Sequence, residues 1–166
     1  MVVRRVKYDD KSCRQIHGAD FEGTGFKPVQ ECEAKIPGCV ALLKRQTWAS
    51  NRAVAMVCLA ELPSDMDTYI SQLRNRVAFK VGFLPLVWGL YLQVIIFCPK
   101  ISEEALSPAD YVAKLDNQWA IVQSVFLVDT VNKVFKEGRT WGQFLSSSYQ
   151  DAISSELQAF YTKSDR

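Results

Sequence analysis

The chain has a single histidine, His17, so any site that relies on an imidazole near neutral pH must be built around it. Cys13 lies four residues earlier, a spacing that sets both on one helical face and permits a thiol paired with its base. No orienting group accompanies them in sequence, and two residues of a short surface helix account for the pair equally well. Cys32 and Cys39 extend the set to Cys-x3-His, a gap of 14 residues and Cys-x6-Cys, all ligand types that zinc accepts. Tight Cys-x2-Cys knuckles are missing. The expectation is therefore that Cys13, His17, Cys32 and Cys39 do not share a metal and that no cofactor is bound. Cys58 and Cys98 fall inside apolar runs and read as core residues.

Carboxylates offer a second chemistry. Asp20, Glu22, Glu31 and Glu33, with Lys35 two residues beyond the last, contain the groups a nuclease-like enzyme uses to hold a divalent ion. An acid-x-Lys triplet recurs at Asp9-Asp10-Lys11, roughly the frequency chance allows, and Glu33 lacks the apolar strand on which such a site is normally built. A metal-dependent enzyme in the first third is the alternative reading. Gly23-Thr24-Gly25 and Trp141-Gly142 do not extend to a phosphate loop. No carboxylate falls within an apolar strand, which leaves general acid-base chemistry without an obvious carrier.

Basic residues gather at Lys44, Arg45 and Arg52 and at Arg74 and Arg76, with Trp48 between Arg45 and Arg52. Tryptophan and arginine dominate protein-binding hot spots, and the same types can also stack on and neutralise nucleic acid. The charge balance, 20 Lys and Arg against 18 Asp and Glu for a net +2, supplies no field that favours the latter. The leading expectation is a non-catalytic protein–protein interaction module, adaptor-like or chaperone-like, with self-association as one form of it and a partner surface at Arg45, Trp48 and Arg52. Trp119 and Trp141 stand at element starts and read as core.

These residues need a frame. With 166 residues, 48% of them apolar, the chain can close a core as one unit. Five cysteines, an odd number, suit a reducing compartment better than a disulfide scaffold, and no secretory stretch follows Met1–Lys7; a cytoplasmic protein is expected. The apolar run Val81–Cys98 approaches the length of a membrane span, but Gly82, Pro85, Gly89 and Gln93 interrupt it, and no span is expected.

Residues 1–38 are punctuated by glycine and proline and read as an irregular N-terminal segment packed on a single α+β domain of residues 39–166. Within that segment an edge strand over Val2–Tyr8 and a short helix over 10–16 are possible elements. Residues 39–48 and 52–60 read as strands joined by a turn at Ala49-Ser50-Asn51. A helix over 64–80 starts with Ser64 and Asp67 as a capping-box pair and carries an apolar stripe of Met66, Tyr69, Ile70, Leu73 and Val77, with Arg74 off it. Strands over 90–98, 119–128 and 131–136, a short helix over 108–116 and a C-terminal helix over 140–161 complete the reading. Together these predict an α+β, or mixed α/β, fold with a central antiparallel or mixed sheet of about five strands covered by two main helices and one short extra helix. Roadblock and longin modules and secretion chaperones have a similar order of elements, a likeness with no motif residues behind it.

Overall fold

A computed structural model describes residues 25–30, 36–48, 50–82, 89–102, 120–139, 151, 153–155 and 158. Their strands form one mixed sheet of six strands in chain order: β1 (Lys27–Pro28), β2 (Cys39–Gln46), β3 (Ser50–Cys58), β4 (Gly89–Cys98), β5 (Ala120–Asp129) and β6 (Val134–Arg139). The count exceeds the expected five because Lys27 and Pro28, in the segment read as irregular, pair with Lys44 and Leu43 at the edge of β2. Proline suits such an edge, where its missing N–H leaves no ladder bond unmade. The expected strand over Val2–Tyr8 and the helices over 10–16 and 108–116 lie outside the described residues.

The ladder is antiparallel at its margins and parallel at its centre: β2 and β3 form a hairpin, β3, β4 and β5 run parallel, and β6 turns back on β5. Parallel strands have both faces covered and read as continuous apolar runs. The interiors of β3, β4 and β5 fit that rule, with Val54–Val57, Val94–Phe97 and Val125–Val128 all buried. Val81–Cys98, the run of nearly membrane-spanning length, is divided between the end of a helix and β4. Among the described residues no helix is long and apolar enough to cross a membrane.

That helix, α1 (Met66–Val81), connects β3 to β4. Asp65, not Ser64, is its N-cap and accepts a hydrogen bond from the Thr68 backbone N–H at 2.9 Å. Gly82 closes it in the left-handed conformation, φ 75°, which a side chain would strain. Met66, Ile70, Leu73, Val77 and Val81 pack with Ala53, Ala55, Val57, Leu92, Val94 and Leu127 in one apolar layer. The opposite face carries a second layer of Val54, Met56, Ile95, Phe97, Phe126 and Val128. Of the expected C-terminal helix, residues 151, 153–155 and 158 are described and helical. Ile153 joins the second layer, and the Ser154 hydroxyl lies 3.0 Å from a Glu137 carboxylate oxygen. The expected cover of two helices thus reduces, among the described residues, to α1 on one face and this short stretch on the other.

Candidate functional site

Two ends of the parallel strands offer candidates. At the carboxyl end Cys58, Cys98 and Asp129 terminate β3, β4 and β5. Asp129 corrects the expectation that no carboxylate sits in an apolar strand: it is the last residue of β5 and 1% exposed. The strand runs one residue further than its apolar content indicates because this carboxylate is fully engaged. One oxygen accepts from the backbone N–H groups of Val131 (3.0 Å) and Asn132 (2.8 Å), the other from the Ile101 N–H (3.0 Å) and the Asn132 side-chain amide (2.8 Å). Burial by itself would raise its pKa, but the bonds from Asn132, Ile101 and Val131 outweigh it and hold the carboxyl below its ordinary value. Asp129 therefore shapes the turn at 130–133, where Lys133 takes φ 56°, and ties it to the segment after β4. The turn also delays β6, which begins at Val134 and not at the expected Val131.

Cys98 is buried and free. Its thiol donates weakly to the Ala60 and Lys100 carbonyls at 3.8 and 3.5 Å, and burial raises its pKa, the opposite of what a nucleophilic thiol needs. Cys58 is disulfide-bonded, a departure from the wholly reduced set expected from the cysteine count. Consecutive strands lie side by side from β3 to β5, so the order of the described strands contains no reversal of the kind that opens a ligand crevice at this end of a doubly wound sheet.

At the amino end of the same strands the β2–β3 turn stands out. It falls at 47–50, earlier than the expected 49–51: the Thr47 N–H donates to the Ser50 carbonyl (2.8 Å), and the Thr47 hydroxyl accepts from the Ser50 N–H (3.1 Å) and lies 2.9 Å from the Ser50 hydroxyl. Ser50 and Asn51 consequently enter β3 and are buried. Trp48 projects from this pinned turn and is 93% exposed.

Arg45 and Arg52 face each other directly across the β2–β3 ladder, and Arg52 is level with Tyr91 on β4. The three therefore share one face and one level of the sheet. Arg45 lies along Gly25, whose absent Cβ would stand 3.6 Å from its Nε, and the Tyr91 ring lies over Gly89 in the same manner, at 3.6 Å. Burial lowers the pKa of Arg52, and the charge of Arg45 lowers it further, with Tyr91 acting in the opposite sense. Like charges placed directly opposite on a ladder are unfavourable in themselves.

The sequence thus located the two arginines and the exposed tryptophan but missed Tyr91, because the register of a parallel pair joined through a helix leaves no local trace. Arg74, expected off the buried stripe, is 8% exposed. It bonds within its own helix, to Ser71 at 3.2 Å and Asn75 at 3.3 Å, and does not extend the cationic row. Lys44 pairs with Ala53 and so takes the other face of the sheet. Cys39 is buried outside any disulfide, and its thiol donates to the Ala41 carbonyl at 3.2 Å. Cys13, His17, Cys32 and the carboxylates Asp20, Glu22, Glu31 and Glu33 lie outside the described residues, as do Trp88, Trp119 and Trp141; among the described residues no three His, Cys, Asp or Glu side chains converge as metal ligands. Comparison with protein-family models, with curated proteins and with solved structures finds no match.

Proposed function

We propose that this chain is a non-catalytic protein-binding module that engages its partner at the tip of the β2–β3 hairpin, through Trp48 with Arg45 and Arg52. The observation that carries the reading is the 93% exposure of Trp48 on a turn fixed by its own hydrogen bonds. A large ring held in water forgoes the stabilisation that burial gives an aromatic side chain, and a rigid anchor loses little conformational freedom when a partner covers it. The carboxyl end supports the same reading from the other side, since among the described residues its buried carboxylate is committed to three backbone N–H groups and the Asn132 amide, and burial raises the pKa of its thiol.

A photocrosslinking residue at position 48, compared with one at Val131 on the opposite end, tests this in the cells that make the protein. The partner captured from position 48 is then titrated against purified wild type and Trp48→Ala. The expected result is a loss of about tenfold or more in affinity, equivalent to roughly 1.4 kcal/mol, with an unchanged melting temperature. Equal capture from both positions, or an unchanged affinity, would move the interface elsewhere.

A further inference from the structure

We infer that Gln93 and Ser124 hold a small neutral hydrogen-bonding molecule inside the fold, a water or a compound with a hydroxyl or amide group, on the face of the sheet opposite α1. The inference is independent of the hairpin tip. β4 and β5 are apolar for most of their length, yet Gln93, Gln123 and Ser124 are buried within them at 3%, 2% and 0% exposure. All three stand at a register shift of the β4–β5 ladder. Leu92 is level with Val122 and Gln93 with Ser124, so Gln123 is the extra residue of a bulge. Bulges are rare between parallel strands, and they re-aim side chains where a sheet carries a site.

Gln93 and Ser124 both point away from α1. Leu92, Val94 and Val125, their neighbours in the chain, belong to the layer under that helix, whereas Val54, level with Gln93, and Ile95 and Phe126, two residues along, belong to the other layer. In this apolar setting the Gln93 side-chain oxygen and the Ser124 hydroxyl are buried, and neither has a hydrogen-bond partner, the other included. A desolvated amide oxygen or hydroxyl is costly when unmatched, and buried polar groups are bonded with few exceptions. One such atom can be a local defect. Two at facing positions, an acceptor and a group able to donate and accept, are matched by a single molecule that bridges them. An amide and a hydroxyl supply no countercharge, so an ion bound by them would stay uncompensated, and the occupant is neutral. Both atoms are shut off from solvent, which restricts it to a small one.

The test compares wild type with Ser124→Ala, Gln93→Leu and the double variant by urea titration. Long-lived internal water is counted in each by magnetic relaxation dispersion of the water oxygen, and the filtrate of each denatured protein is read by mass spectrometry. Each single substitution is expected to lower the folding equilibrium constant about tenfold, and the double variant to lose less than the two losses combined, because the side chains share one occupant. One internal water fewer in the double variant than in wild type identifies the occupant as water; a compound released by wild type and not by the double variant identifies it as that compound. Ser124→Ala, which deletes one oxygen, carries both readouts should the variants at Gln93 fail to fold. Unchanged or raised stability of Ser124→Ala, as expected when an unmatched hydroxyl is removed, overturns the inference. So do equal water counts with no compound released.

Discussion

The two ends of the parallel strands handle polar and aromatic groups in opposite ways. At the carboxyl end a buried carboxylate is surrounded by four donors, and the loops it joins are consolidated by it. At the amino end two arginines face each other and a tryptophan stands in water. A satisfied buried group reports on folding, and a large aromatic ring exposed to water is a candidate for recognition. The comparison predicts that substitutions at the carboxyl end change stability and that those at the amino end change binding.

The largest effect is expected at Asp129. Asp129→Ala removes four acceptor contacts and leaves the buried Ile101 N–H and three part-buried donors unmatched, a loss of about 3 kcal/mol, read as a fall of roughly 6–12 °C in melting temperature for a domain of this size. A change under about 1 kcal/mol would mean the turn at 130–133 holds without it. The same carboxyl gives a pH dependence. Because its folded pKa is depressed, its contribution is fully present above the ordinary carboxylate range and is lost as pH falls below about 4 toward the folded value. Asp129→Asn should therefore be less stable than wild type at neutral pH, and the two should converge on acidification. Parallel curves would separate Asp129 from the acid limb.

A smaller effect belongs to the start of α1. Asp65→Ala should lower stability through the lost bond to Thr68, measurable by denaturant titration with an unchanged slope, whereas Ser64→Ala should have a smaller effect. The reverse order would restore Ser64 as the cap. Tyr69 supplies a change near zero or slightly stabilising. Its hydroxyl is buried without a hydrogen-bond partner, and its pKa is pushed up to about 12 by burial, with Cys39 adding to the shift. Tyr69→Phe removes a desolvated hydroxyl and should leave stability unchanged or raise it by up to about 1 kcal/mol; a clear loss would point to an ordered water on that oxygen.

Local signals made much of this frame legible. Periodicity located α1 and the buried runs of β3 and β4, since each depends on residues a few positions apart. The cap, the hairpin turn and the end of β5 are displaced by one or two residues, because each is decided by side-chain hydrogen bonds: Asp65 to Thr68, Thr47 to Ser50, and Asp129 to the turn after it. Strand order was less accessible. The parallel core is specified by α1 returning the chain to the amino end of β4, and the level meeting of Arg52 with Tyr91 follows from that long-range register. Arg45 and Arg52 were legible as a pair because a hairpin brings near neighbours in sequence face to face, and Trp48 because it lies in the turn itself.

The contrast between the two ends is tested most directly at its exposed extreme, by measuring thermal stability and partner affinity together on Trp48→Ala. The account predicts a stability within about 0.5 kcal/mol of wild type, as for a surface residue, together with a loss of about tenfold or more in affinity for the partner captured at position 48. A loss of several kcal/mol in stability, or an affinity equal to that of wild type, would contradict it.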